Sequence, residues 1–447
     1  MTDPRSQDPL GRLDSALARA PAIPGRPEAR GRLTEATGIV LRARAPGIRV
    51  GELVEIQREG RTILDAEVVG FRGDEAVLMP LGTLAETGPD CQVVPMGRPL
   101  TLRCSEGLLG RVVDGLGRPA DGRPLPPDAE EWPVHRTAPD PLTRRRIRAP
   151  LSLGVRALDG LCTVGEGQRV GLFAGAGVGK STLLGQIARQ ANADVCVVCL
   201  VGERGREVRE FLEESLGPEG LARSVAVVAT SDAPSLVRLK SAFVATALAE
   251  WFRDRGRRVL LLMDSLTRFA RAQREVGLAA GEPPARQGYP PSVFALLPRL
   301  LERTGNAAVG SITALYTVLV AGGDLEEPIS DEVRGILDGH IVLSRDLAET
   351  NHYPAVDVLA SLSRVMPHVT DEDHRRHAAT LRKLLAHHQD KRDLIALGAY
   401  QTGTDLWVDR YLERRQDLLA YLQQRPDDPT PLPETVAALA CLVKGFD

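Results

Sequence analysis

Aromatic side chains are scarce in this 447-residue chain: phenylalanine, tryptophan and tyrosine together make up 4% of it. A surface built to stack many nucleobases needs more of them. A basic excess is also missing, because 56 lysines and arginines face 59 aspartates and glutamates, for a formal net charge of −3. A dedicated nucleic-acid binder ordinarily carries such an excess, so no nucleic-acid partner is expected. Long apolar runs are lacking too. The longest low-charge stretch, residues 307–323, contains Gly310, Ser311, Thr313 and Thr317. It falls short of a membrane span and reads as a buried strand with its loops. The first ten residues, with Asp3, Arg5 and Asp8, have no apolar core of the kind a signal peptide needs. A cytoplasmic protein is expected.

Cysteine is thinly spread, with six residues at 91, 104, 162, 196, 199 and 441. Cys196 and Cys199 make a C-x-x-C, but within an apolar run over 195–201. Residues three apart on a strand point to opposite faces, which suits neither a shared metal nor a disulfide. Reduced, buried thiols are the expectation.

What is present is ordinary for a globular chain: 43% hydrophobic and 26% charged residues. The length predicts two or three domains. Residues 1–28, rich in Pro, Arg and Ala, read as a loose arm. Over 29–95, short β-like runs (38–43, 52–56, 62–69, 76–81) between glycine and charged turns suggest a small barrel or sandwich. A proline-rich stretch over 115–150 ends in the basic run Arg144, Arg145, Arg146 and Arg148, which reads as a solvated face or, less simply, as a phosphate or membrane contact. Then apolar strands (170–174, 195–201, 225–229, 259–263) alternate with helical stretches (180–190, 206–216, 234–255), the pattern of a mostly parallel sheet covered on both faces. From about Thr370 the texture is helical, over 372–388, 404–424 and 434–443. His374 and His377, one turn apart, read as part of a solvated helical face rather than a metal pair.

The strongest chemical signal is Ala-Gly-Ala-Gly-Val-Gly-Lys-Ser-Thr over 174–182. It follows an apolar strand and opens a helix, the context a phosphate-binding P-loop requires. Gly175, Gly177 and Gly179 let successive backbone N–H groups, those of Ala176 and Val178 among them, turn toward phosphate oxygens. The helix N-terminus adds partial positive charge. Lys180 is placed for the β- and γ-phosphates of ATP, Ser181 for Mg2+, and Thr182 continues the cradle. Position 174 holds alanine where the strict pattern has glycine. The run Val-Leu-Leu-Leu-Met-Asp over 259–264 ends an apolar strand on Asp264, the acid for the magnesium shell, or else a cap for the next helix. Glu203 follows the strand at 195–201. Strand ends on one side of a parallel sheet converge on the ligand, so Glu203 is the candidate to orient the attacking water; on position alone it is equally a surface loop acid.

Five runs together carry a resemblance: Gly-Glu-Arg-Gly-Arg-Glu-Val over 202–208, Asp-Ser-Leu-Thr-Arg-Phe-Ala over 264–270, Gly-Tyr-Pro-Pro-Ser-Val-Phe over 288–294, Gly-Ser-Ile-Thr-Ala-Leu-Tyr-Thr-Val over 310–318, and Arg-Gly-Ile-Leu-Asp-Gly-His-Ile-Val-Leu-Ser-Arg over 334–345. The chain resembles the type III secretion export ATPases, relatives of the catalytic subunit of rotary ATP synthases, over about nine-tenths of its length. The runs over 30–38 and 46–53 look more like the injectisome branch than the flagellar one. The resemblance implies an α/β fold with a RecA-like P-loop ATPase core (96–370), an N-terminal β-barrel (29–95) and a C-terminal helical domain (371–447). It implies a homohexamer at the cytoplasmic face of the bacterial inner membrane, engaging stalk and stator proteins and chaperone–effector complexes. It also implies catalytic roles for Glu203, the adjacent Arg204 and Arg364, the last offered to a neighbouring subunit's γ-phosphate or else held in a structural salt bridge. Tyr353 matches the aromatic that stacks on adenine. Family members usually read Glu-Gly-Asp-Asp where this chain has Ala321-Gly-Gly-Asp324, so normal stalk coupling through that loop is not assumed. Rival readings are a flagellar export ATPase, a rotary ATP synthase catalytic subunit and a hexameric RNA translocase. The run after Glu203 and the lack of an acid-rich stretch in the C-terminal part weigh against the synthase. Low aromatic content and negative charge weigh against the translocase.

Overall fold

A computed structural model describes residues 30–320 and 324–445. The expected N-terminal arm and the departure at Ala321, Gly322 and Gly323 lie outside the described residues. The chain divides at Arg98 and Pro99 into two compact units.

In the first unit, β1 (Gly31–Thr37), β2 (Val40–Arg44), β3 (Glu52–Arg58), β4 (Arg61–Arg72), β5 (Glu75–Pro80) and β6 (Gln92–Pro99) close a barrel in the order β1-β2-β5-β4-β3-β6. Side chains alternate across each strand. Leu41 and Ala43 of β2, Val54 and Ile56 of β3, and Ala66 and Val68 of β4 point inward and are fully buried. Closure leaves no unpaired sheet edge. Four of the strands coincide with the apolar runs. β1 and β6 carry too many polar residues to show in the sequence pattern.

The second unit contains a nine-stranded sheet and a small pair, β7 (Thr101–Cys104) with β9 (Glu130–Pro133). The sheet is built from β8 (Arg111–Asp114), β10 (Arg169–Ala174), β11 (Val195–Glu203), β12 (Ser224–Thr230), β13 (Arg258–Asp264), β14 (Gly305–Asn306), β15 (Ser311–Leu319), β16 (Gly339–Leu343) and β17 (Val356–Ser363). Its order is β17-β16-β10-β15-β13-β11-β12-β8, with β14 beside β15. Neighbours from β16 to β8 run parallel, whereas β17 and β14 pair antiparallel. Every residue of β11 is buried, as a strand covered on both faces must be. The central strands β10, β15, β13 and β11 therefore deliver their carboxyl ends side by side, and the candidate chemistry lies there.

The helices that bear on that edge are α1 (Lys180–Gln190), α2 (Gly205–Glu210), α3 (Ser235–Arg253) and α4 (Leu266–Ala280). The helix expected over 206–216 is broken: after α2 the chain widens into a π-helical turn, Phe211–Leu216. The C-terminal part is wholly helical, with α5 (Glu372–Ala396), α6 (Leu406–Leu422) and α7 (Leu432–Leu442). α5 outruns its expected end because the first breaker is Gly398, in a left-handed conformation. Asp371 caps its start by accepting from the His374 N–H at 2.7 Å. No described helix is long and apolar enough to cross a membrane.

Two expectations about solvated faces fail. His374 is buried, with Nε2 2.8 Å from the Gly160 carbonyl, so it seats α5 on the core. Arg144 bonds the Thr304 and Glu302 carbonyls, and Arg145 the Ala307 and Gly310 carbonyls. Arg144 is thus half-buried against backbone acceptors, whereas Arg145, Arg146 and Arg148 are exposed, Arg145 while still bonding carbonyls. Cys196 and Cys199 are fully buried, and burial pushes both thiols up to about 12.

Candidate nucleotide site

The P-loop leaves β10 at Ala174, which is fully buried and paired to Leu319 and Leu343. Alanine is tolerated there because the position is still strand. Gly177 and Gly179 hold φ of +77° and +82°, a region closed to most side chains. Gly175 is not in that region, so its freedom is not what turns the loop. Ala176 and Gly177 are exposed, while the Val178 side chain is anchored in the core; only its backbone is available to a ligand. Ser181 and Thr182 stand exposed on the first turn of α1.

The Lys180 ammonium lies on the Asp264 carboxylate, 2.5 Å from Oδ1 and in contact with Oδ2. Asp264, the last residue of β13, also accepts from the Thr317 hydroxyl of β15 at 2.7 Å. Glu203 is no loop acid. β11 continues two residues past its expected end, and Glu203 pairs there with Thr230 of β12. Its side chain is 6% exposed. One oxygen, Oε2, meets the Arg268 guanidinium at 2.9 Å. The other, Oε1, is 3.9 Å from Lys180 and has no hydrogen-bond partner. Burial raises this carboxyl to about 7, assisted by the Asp264 charge and a hydrogen bond with Glu207.

The remaining candidates lie further out. Arg204 is exposed, caps the start of α2 and pairs with Glu207 at 3.1 Å; its guanidinium is outside the Lys180–Asp264–Glu203 cluster. Tyr353 is 39% exposed. Its ring lies against the P-loop: a Cβ on Gly179 would sit 3.1 Å from Tyr353 Cε1. Arg364 follows β17, and its guanidinium makes one long contact, 3.5 Å to the Arg334 carbonyl. Among the described residues it has no ion pair, so the salt-bridge alternative is not what this subunit shows.

Arg268 and Thr317 were missed as site residues. Both stand inside runs that mark the resemblance, Arg268 at 264–270 and Thr317 at 310–318. Nothing local to either run reveals that Arg268 reaches Glu203 or Thr317 reaches Asp264. Those contacts come from the neighbouring strands β11, β13 and β15 and from the start of α4, which carries Arg268.

The donor set fits a magnesium–nucleotide pair. A left-handed glycine loop opens a helix, a lysine sits against the Asp264 carboxylate, and a second buried acid keeps one oxygen unpartnered. A parallel sheet with this loop at one edge defines a P-loop ATPase of RecA-like fold. Residues 154–363 match the family described as ATP synthase alpha/beta family, nucleotide-binding domain, and residues 370–441 match the T3SS EscN ATPase C-terminal domain. The type 3 secretion system ATPase of Xanthomonas euvesicatoria is 53% identical, over 92% of this chain and 93% of its own. The flagellum-specific ATP synthase of Bacillus subtilis is 50% identical, over 92% and 94%. The assembled ATPase EscN from the enteropathogenic E. coli type III secretion system superposes with a TM-score of 0.86 at 46% identity, covering 92% of this chain and all of that one. The chain belongs to the ATP synthase α/β family, within the type III secretion and flagellar export ATPases, and is an ATP-hydrolysing enzyme.

Proposed function

We propose that this protein hydrolyses Mg·ATP at the edge of β10, β15, β13 and β11 to drive export through an injectisome. The observation that carries the chemistry is Glu203: a buried acid beside Lys180 and Asp264 with Oε1 unpartnered. That oxygen accepts a hydrogen bond from the attacking water and takes its proton. Lys180 leaves Asp264 for the β- and γ-phosphate oxygens, supported by the backbone of residues 175–182. Asp264 and the Ser181 hydroxyl would hold Mg2+, which would supply positive charge to the phosphate oxygens. Tyr353 stacks on adenine. Arg364, which has no ion pair among the described residues, reaches the γ-phosphate of the next subunit, and Arg204 serves the same interface.

The assembly is a homohexamer at the cytoplasmic face of the inner membrane. It consists of a barrel over 29–95, an ATPase domain over 96–370 and a helical domain over 371–447, and it takes a central stalk as the EscN–EscO complex does. Hydrolysis releases chaperones and helps unfold cargo. The match of residues 370–441 to the EscN C-terminal domain favours the injectisome over the flagellum. In the native host, Lys180→Ala should stop secretion of injectisome cargo and leave swimming intact. Lost motility with normal cargo secretion would assign the protein to the flagellum instead.

A further inference from the structure

α4 carries Arg268, Arg271 and Glu275, at spacings of three and four that put them on one helical face. Arg238 stands on the first turn of α3. Together with Gly202 and Leu319, at the carboxyl ends of β11 and β15, these four side chains line a cavity of about 190 Å3. A water's share of liquid volume is about 30 Å3, so the cavity admits a tetrahedral oxyanion and water around it. It shares a wall with the hydrolytic site. Gly202 precedes Glu203 and holds a φ of +66°; a Cβ there would sit 3.4 Å from Arg268 Cδ and 3.6 Å from Arg238 Cδ. The Arg268 guanidinium closes that wall, donating to the Gly202 carbonyl and meeting Glu203 Oε2 at 2.9 Å. The other two arginines keep free donors. Arg238 donates through Nε to the Ala233 carbonyl at 3.0 Å, and through Nη2 to the Ser235 hydroxyl at 3.2 Å and Glu275 Oε2 at 2.6 Å. Its Nη1 has no partner among the described residues. Arg271 is exposed and, among the described residues, has neither a hydrogen bond nor an ion pair. Nothing in the hydrolytic chemistry above uses it.

We propose that this cavity is an exit subsite for inorganic phosphate, with Arg271 and the free Nη1 of Arg238 as its anion contacts; this rests on the reading of Lys180 and Glu203 as the hydrolytic centre. The physical reason is the balance of charge on the two sides of the wall. In the hydrolytic site two buried acids, Glu203 and Asp264, stand against the one ammonium of Lys180. They repel a phosphate once it is cut from the nucleotide. In the cavity three guanidiniums stand against one carboxylate, and a guanidinium matches phosphate oxygens in geometry as well as charge. The freed anion therefore moves down a gradient of potential, from the acids to the arginines. Glu275 limits the hold, so that the product is drawn out without being trapped.

The test is product inhibition of the full-length enzyme by added inorganic phosphate. Hydrolysis is followed by ADP release, and chloride holds the ionic strength constant so that screening does not vary. Arg271→Gln removes an exposed, unpartnered charge and leaves the fold intact. Its phosphate inhibition constant should rise about tenfold, the scale of one lost charge-assisted hydrogen bond, while the Mg·ADP Kd stays within about twofold. Arg271→Lys, which keeps the charge, should recover part of the loss. Glu275→Gln still accepts from Ser235 and Arg238 but takes the negative charge out of the cavity. Phosphate inhibition should then tighten several-fold, again at constant Mg·ADP Kd. A merely structural role would not move the two variants in opposite directions. Phosphate inhibition unchanged in Arg271→Gln, equal weakening of phosphate and ADP, no tightening in Glu275→Gln, or a wild type that phosphate does not inhibit would each overturn the subsite. A wild type that releases no ADP from ATP would instead defeat the hydrolytic reading itself.

Discussion

Glu203 can act on water only as a carboxylate, yet its surroundings hold its proton. Burial raises the group from its ordinary 4.5 to about 7, with Asp264 and the Glu207 hydrogen bond adding to it. The pH dependence of kcat/KM reports groups of the free enzyme. With a midpoint near 7, about one-eleventh of the enzyme carries ionised Glu203 at pH 6 and about ten-elevenths at pH 8, so kcat/KM should fall about tenfold from pH 8 to pH 6. The assay is steady-state phosphate release at limiting ATP with Mg2+ in excess. Glu207→Gln removes a group that raises the Glu203 proton affinity and should move the midpoint to lower pH. The stability sign follows from the same shift. A group whose folded pKa lies above its unfolded value contributes stability that is fully present below about 4.5 and lost as pH rises through about 7. Glu203→Gln, which cannot ionise, should therefore melt higher than wild type at pH 8 and not at pH 4. A flat kcat/KM from pH 6 to 8, with no response to Glu207→Gln, would refute this reading of the site.

Other outcomes follow from other parts of the molecule. If Arg364 acts across a subunit boundary, Lys180→Ala and Arg364→Ala chains, each inactive alone, should regain activity when mixed into one ring, because an arginine at the transferring phosphoryl group is worth about 10³–10⁵ in rate; no recovery with mixing verified removes the shared site. Arg303 and Glu250, each 1% exposed, form a two-pronged pair at 2.6 and 2.9 Å. Glu250→Ala should cost about 3–5 kcal/mol in urea unfolding, since it strands a buried guanidinium, and Glu250→Met with Arg303→Met should recover much of that. Of the six cysteines only Cys441 is exposed. A thiol reagent should therefore label one site quickly in the native enzyme and five more only on unfolding; rapid labelling of Cys196 or Cys199 would contradict their burial.

Local chemistry explains what could be read in advance. The loop over 174–182 is contiguous, so its turn, its helix start and its lysine stand together in the sequence, and the apolar strand into Asp264 is legible for the same reason. The barrel was half visible: strands such as Val40–Arg44 alternate cleanly, whereas Gly31–Thr37 is mostly exposed and shows no apolar period. The wiring was not legible. Arg268 meets Glu203 and Thr317 meets Asp264 only because parallel strands and the helix that follows β13 bring distant segments together. The same principle misled at Arg144 and His374. Charge and polarity suggested water, but the partners turned out to be buried carbonyls supplied by remote parts of the chain.

In the proposed mechanism Glu203 is the group that turns nucleotide binding into hydrolysis. The most direct measurement is Glu203→Gln in the assembled enzyme, with Mg·ATP affinity by titration and turnover by phosphate release. Glutamine keeps the size and the contact with Arg268 but cannot take a proton. Affinity within a few-fold of wild type with turnover down by about 10²–10⁴ is the predicted result. Turnover at the wild-type rate in a variant of verified sequence would remove Glu203 from the mechanism.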